Sequence, residues 1–244
     1  MRKKYIFVLL LLFVGFTAHS QVLLSLIFGD KLNSGKVEFG LDMGANWSSI
    51  SNMDSSNFLR TFNIGFYFDI KMKKEPWHIY TGVLVKANMG LDELTDEDLL
   101  FLEIPQQPED GNYYQRMNYF IVPGTLRYYF PSRFYVEAGP QLALMYKSAV
   151  EFYSESDNEE ILIKEFNKDA IRKIDAGLTA GLGYKIKPVG GLTLGLRYYY
   201  GLTNVYKDRK GTKNSSIFLK ANMPVGAGKA KKKREEKEKE NDQG

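Results

Sequence analysis

Residues 37–47 read VEFGLDMGANW. Val37, Phe39, Leu41, Met43, Ala45 and Trp47 are apolar, while Glu38, Gly40, Asp42, Gly44 and Asn46 between them are small or polar. Strict alternation over this length is the mark of a strand with one apolar face. Working outward, the pattern returns seven times. Phe62–Met72 sets Phe66, Phe68 and Ile70 against Gly65, Tyr67 and Asp69. Trp77–Met89 sets Ile79, Val83, Val85 and Met89 against His78, Gly82, Lys86 and Asn88. The remaining runs start near Tyr119, Phe134, Ile174, Leu192 and Ser216. Each is about ten residues long, the length of a tilted strand crossing a bilayer.

The connections alternate in length. Met72–Pro76, Phe130–Arg133 and Lys187–Gly191 are short and carry Pro or Gly, or both. Those near 49–60, 90–115, 147–171 and 203–214 are long. Short turns on one side and long loops on the other belong to outer-membrane barrels, with the short turns periplasmic. A soluble barrel also alternates, but its polar face has room for any side chain. Here the polar face is crowded with Gly40, Gly44, Gly65, Gly82, Gly139, Gly177, Gly181, Gly183, Gly195 and Gly201. Glycine weakens a strand unless space is short, and an eight-stranded interior is only just wide enough for side chains. The polar face therefore points inward. The fold expected is an all-β, eight-stranded, antiparallel up-and-down transmembrane barrel. Trp47 and Phe62 at one end, and Trp77, Phe134 and Tyr184 at the other, fit interfacial girdles.

The N-terminus sets the compartment. Arg2, Lys3 and Lys4 precede the apolar run Tyr5–Ala18, and Ala18-His19-Ser20 supplies a small-x-small cleavage pattern. The division expected is a signal peptide over 1–20, an interfacial or periplasmic segment over 21–35, the barrel over 36–226 and a charged tail over 227–244. Both ends of the mature chain then lie in the periplasm of a Gram-negative cell. The 244-residue chain has no cysteine, which excludes disulfides, thiolate metal sites and a lipidated N-terminus. Its only histidines are His19 and His78. Val22–Leu32 reads as a short interfacial helix or a contact to another barrel. The tail Lys229–Glu240 (KAKKKREEKEKE) mixes both signs, which argues against nucleic acid as a partner.

Several ordered blocks resemble PorT-like outer-membrane barrels of the Bacteroidetes type. They are Leu23–Gly44, Phe66–Ile70, Thr81–Gly90, Phe134–Leu142, Ile174–Tyr184 and Leu196–Gly201. The resemblance covers nearly the whole mature chain. It implies an outer-membrane barrel, with some relatives tied to a protein-secretion apparatus, and it carries no catalytic residue or substrate. One departure is the last strand, which runs into a charged tail from Val225 in place of a terminal aromatic.

The inward positions hold Glu38, Asp42, Asp69, Glu137 and Asp175 against Lys86, Arg127, Lys185, Arg197 and Lys220. Five of each sign suit mutual neutralisation, since buried ions must be paired. A salt-bridged plug is expected, and an ion or solute path is the alternative. Arg127 should meet Glu137 across the Phe130–Arg133 turn, and Asp42, Arg197 and Lys220 should meet at mid-height. Residues 91–111 carry eight carboxylates and no basic residue. Thr95 and Asp98 look like a helix cap ahead of Leu99, Leu100, Phe101 and Leu102. A solvated loop is the plain reading, and a partner surface built on those four residues is the sharper one. Lipid-modifying barrel enzymes use His with Ser or a carboxylate at the outer rim. His78 falls at the opposite end. The expected function is a non-enzymatic outer-membrane barrel without cofactor or metal. It would touch outer-membrane lipid and serve as a structural or interaction subunit beside a secretion or barrel-assembly complex. A narrow pore is the runner-up.

Overall fold

The computed structural model describes residues 32–34, 36–156, 159–188 and 190–226. The expected signal peptide, most of the 21–35 segment and the tail lie outside the described residues. The elements run β1 (Val37–Ile50), β2 (Leu59–Lys71), β3 (Trp77–Leu91), α1 (Asp96–Phe101), β4 (Asn112–Tyr129) and β5 (Phe134–Ser156). They continue with β6 (Glu159–Phe166), β7 (Ile174–Lys185), β8 (Thr193–Gly201) and β9 (Asn214–Pro224). Eight of the nine strands form a closed ring in the order β1, β2, β3, β4, β5, β7, β8, β9, with β9 pairing back to β1. Every neighbouring pair is antiparallel. Closure removes both sheet edges, which lipid would leave without hydrogen-bond partners. No described helix is long and apolar enough to cross a membrane.

The strand outside the ring, β6, departs from expectation. β6 pairs only with β5, from Ala149↔Phe166 to Ser156↔Glu159. What reads as a loop over 147–171 is largely a hairpin standing on the ring. Its sequence EEILIKEF alternates over too few residues to separate from a loop by period alone.

The wall follows the two-residue period. Outward Phe134, Leu142, Leu178, Leu182 and Leu196 are about half exposed, each between 48% and 57%. Inward Tyr67, Tyr135, Tyr199 and Phe218 are buried. Such an outward apolar band is what a bilayer core stabilises. Near the short-turn end, Trp77 packs edge-on against Tyr128 and Phe134 tilts against Tyr184, both pairs with ring centroids 4.9 Å apart.

The inward glycines make room for inward rings. A Cβ on Gly40 would lie 2.6 Å from Cε1 of Tyr67, its cross-strand partner. One on Gly183 would lie 2.5 Å from Cε1 of Tyr135, again its partner. One on Gly177 would lie 2.7 Å from Cε2 of Tyr199. Glycine and tyrosine thus share one narrow interior.

Two irregularities change the phase. The β3–β4 register shifts between Leu84 and Ala87, and the β4–β5 register shifts between Asn118 and Tyr119. A bulge moves every later side chain of its strand to the other face. Met89, outward by simple alternation, is therefore fully buried, and Lys86 is exposed on the outer wall. Lys86 thus takes no part in the lumen network, because the bulge turns its side chain away.

Candidate functional site

The lumen divides into two layers. In the half nearer the short turns, three carboxylates face three cations. Glu137 on β5 is the hub. Its Oε2 accepts from Arg127 Nη2 at 2.7 Å and Nε at 3.1 Å. Its Oε1 accepts from Arg197 Nε at 2.8 Å. Arg127 is set by register, since Arg127↔Glu137 is a cross-strand pair beside the short turn. Arg197 reaches Glu137 from β8, across β7. Asp69 on β2 accepts from Arg127 Nη1 at 2.8 Å, from Tyr129 Oη at 2.8 Å, and lies 2.5 Å from His78 Nδ1. Lys220 on β9 places its ammonium 3.6 Å from Asp42 and 3.8 Å from Glu137. Asp42, Arg197 and Lys220 therefore gather around one hub, although Arg197 bonds Glu137 and not Asp42. Neutralisation within a closed space is what makes such charges tolerable in a membrane protein.

Tyr80, on the inward face of β3, is the centre that sequence reasoning missed. Its ring lies 4.1 Å from Arg127 Cζ, 4.9 Å from Arg197 Cζ and 4.0 Å from Lys220 Nζ. Its hydroxyl donates to Asp42 Oδ2 at 2.5 Å. Three cations on one ring spread their charge over its π faces. Arg127 Cζ also lies 4.0 Å from the ring centroid of Tyr135. Tyr80 shares the inward parity of His78 and Gly82, which was the available signal.

The other predicted charges lie apart. Glu38 pairs with Lys185 at 2.8 Å and accepts from Tyr67 at 3.0 Å, at the short-turn end. There a cavity of about 400 Å³ opens between Lys36, Glu38, His78, Tyr129, Arg133 and Lys185. Asp175 sits higher, accepting from Asn214 Nδ2 and Thr203 Oγ1, each at 2.8 Å, with no described cation within ion-pair distance.

Above the charge cluster the polar filling continues, since Asn46, Gln115, Ser148, Asn214 and Ser216 are buried and hydrogen-bonded there, but it shares the space with an apolar cluster that a wholly polar plug did not anticipate. Met89, Met117, Tyr119, Ile121, Tyr199 and Phe218 belong to one buried cluster that continues into the loops through Leu91, Leu99, Val205 and Tyr206. The β3 bulge puts Met89 inward against simple alternation, whereas Met145, ahead of the β5 bulge, is inward by the same parity as Glu137 and Gln141.

Helix α1 caps this layer. Thr95 and Asp98 form the expected capping box. Asp98 also accepts from the backbone N–H groups of Asp54 and Ser55, each at 2.9 Å, which ties α1 to the β1–β2 loop. Leu99 is buried, Phe101 meets Tyr206 edge-on at 5.3 Å, and only Leu100 is strongly exposed, at 81%. Leu99, Leu100, Phe101 and Leu102 are therefore not one exposed partner surface. The amphipathic turn spends its apolar side closing the barrel. Asp98→Ala should loosen this cap by about 2 kcal/mol, the scale of hydrogen bonds to a buried charge. Limited proteolysis should then cut within 91–111 about 30-fold faster while the barrel stays folded. Unchanged cleavage would show that Asp98 does not hold the loop.

Among solved structures, the chain resembles Ail, the attachment invasion locus protein of Yersinia pestis, in complex with the heparin analogue sucrose octasulfate. The identity is 12% and the TM-score 0.43, over 78% of this chain and 99% of that one. It also resembles Neisserial surface protein A, with 12% identity and a TM-score of 0.36 over 77% and 96% of the two chains. OprG from Pseudomonas aeruginosa is similar at 11% identity and a TM-score of 0.32, over 78% and 94%. No curated protein matches the sequence. The profile of one family does match, over residues 28–207, from before β1 through β8 and into the loop beyond it. This chain, a ring of eight antiparallel strands with an apolar outer band, belongs to the outer membrane protein beta-barrel domain family.

Proposed function

We propose that this protein is a sealed, non-enzymatic outer-membrane barrel that works as a structural or interaction subunit. One observation carries the reading: the lumen is filled at two levels, by the Asp42, Asp69, Glu137, Arg127, Arg197 and Lys220 cluster and by the tightly buried mixture of apolar and hydrogen-bonded polar side chains above it. An eight-stranded barrel has room only for its own side chains. A transport path would have to break both layers. The short turns and both chain ends face the periplasm in this reading, in keeping with the general topology of such barrels. The neighbour is a larger protein-secretion or barrel-assembly complex, supported by the PorT-like sequence blocks. His78 is engaged by Asp69 at the short-turn end, away from an outer-leaflet substrate, which favours the non-enzymatic reading.

Purified protein in planar bilayers at moderate salt should give no steady single-channel current. Affinity purification from membranes in mild detergent, followed by mass spectrometry, should recover a larger outer-membrane assembly. Steady, ion-selective current from the folded wild type would reverse the ranking in favour of a narrow pore. Recovery of the barrel alone would remove the subunit role.

A further inference from the structure

Two lysines stand on the outer wall because of the two phase shifts. Lys86 lies in the β3 irregularity between Leu84 and Ala87. Lys147 follows Tyr146, the extra β5 residue between the pairs Tyr119↔Met145 and Asn118↔Lys147. Both lysines are exposed. Lys147 pairs with Asn118 and Asn118 with Asn88, so the Lys147 backbone stands two strand spacings, about 10 Å, across the wall from β3 and two residues above the level of Lys86. On the wall between and beside them, Phe120 and Tyr146 stack with ring centroids 4.7 Å apart. The Lys147 ammonium lies 5.3 Å from the Phe166 ring.

Among the described residues, neither lysine has a carboxylate within 4 Å, and Glu151 above them is already taken by Arg116 at 3.2 Å and Lys164 at 2.7 Å. Toward the short-turn end the wall continues as exposed Val85, Val122, Leu142 and Leu144. The two cations therefore stand where the apolar band gives way to aromatics, the level of lipid headgroups. A solitary lysine there would simply reach up to water. Two lysines from separate bulges, flanking a stacked aromatic pair and with no described carboxylate within 4 Å, offer the charge that a tetrahedral anion beside an acyl chain needs. Bulges re-aim side chains at functional positions, and lysine serves phosphate as a point charge with three donors.

We infer that Lys86 and Lys147 clamp the phosphate of a lipid headgroup in the leaflet at the long-loop end, with Phe120 and Tyr146 supporting the body of the lipid. The inference goes beyond the subunit role and does not rest on it. Full-length mature protein in mild detergent is titrated with phosphatidic acid, phosphatidylcholine or inorganic phosphate and read by native mass spectrometry. The wild type should retain one phosphatidic acid in preference to phosphatidylcholine. The surface variant K86Q/K147Q should bind it about 30-fold more weakly, roughly fivefold per lysine. K36Q at the opposite end should bind as the wild type does. Folding of each variant is checked by its heat-modifiable migration. Equal binding by K86Q/K147Q and wild type would overturn the site. Inorganic phosphate displacing the lipid at equal concentration would overturn the assignment to a lipid.

Discussion

Glu137→Gln is expected to destabilise the folded barrel by about 3–5 kcal/mol, the cost of breaking a buried ion network from one side. Glu137 takes hydrogen bonds from both Arg127 and Arg197 and lies 3.8 Å from the Lys220 ammonium. A glutamine keeps the volume but leaves Arg127, Arg197 and Lys220 facing only Asp42 and Asp69. The amide nitrogen would also point a donor at one of two guanidinium groups. Denaturant unfolding in lipid vesicles measures the loss. The double variant R197M/E137Q restores equal numbers of each sign, so it should recover part of the stability, as coupled neighbours do. A loss below about 1 kcal/mol for E137Q, or full additivity in the double variant, would show that the cluster is not one electrostatic unit.

Gly195→Ala is expected to cost about 3 kcal/mol, the upper end of the overpacking range. A Cβ there would lie 2.3 Å from the Tyr135 hydroxyl and 3.0 Å from the Leu182 carbonyl oxygen. The ring has nowhere to go. Gly183 abuts it on its cross-strand side, and Arg127 lies 4.0 Å from its centroid. Pushing Tyr135 aside would therefore also loosen Arg127. Tyr135→Phe removes the offending oxygen, leaving the added methyl 3.4 Å from Cζ, an ordinary contact. G195A/Y135F should accordingly be more stable than G195A alone. If the second substitution gives no recovery, the glycine serves backbone approach and not the ring.

The interior offers a contrast in how far local pattern reaches. Arg127 and Glu137 are ten positions apart on adjoining strands joined by a four-residue turn, so parity and turn length place them together. Asp69 and Arg127 are separated by 58 positions, and Glu137 and Arg197 by 60. Their meeting depends on ring closure and strand stagger, which no single strand encodes. Lys86 shows the opposite failure. Its parity put it in the lumen, but one extra residue in β3 reversed the phase. A bulge disturbs the ladder only locally and need leave no mark in composition, so alternation cannot reveal it.

By itself, the sequence determined the strand period, the alternation of short turns and long loops, the inward face by its glycines, and the Thr95–Asp98 cap. All of these are set by neighbours along the chain or by one hairpin, where the period of two and the reach of a turn suffice. Only the tertiary structure decided that Tyr80 would gather three cations, that an apolar cluster would share the upper lumen with polar side chains, that β6 would stand outside the ring, and that Lys86 would face the bilayer. Those outcomes follow from closing eight strands into a ring narrower than its side chains would fill freely. Bulges, stagger and glycine–tyrosine pairing then set which groups share the remaining space.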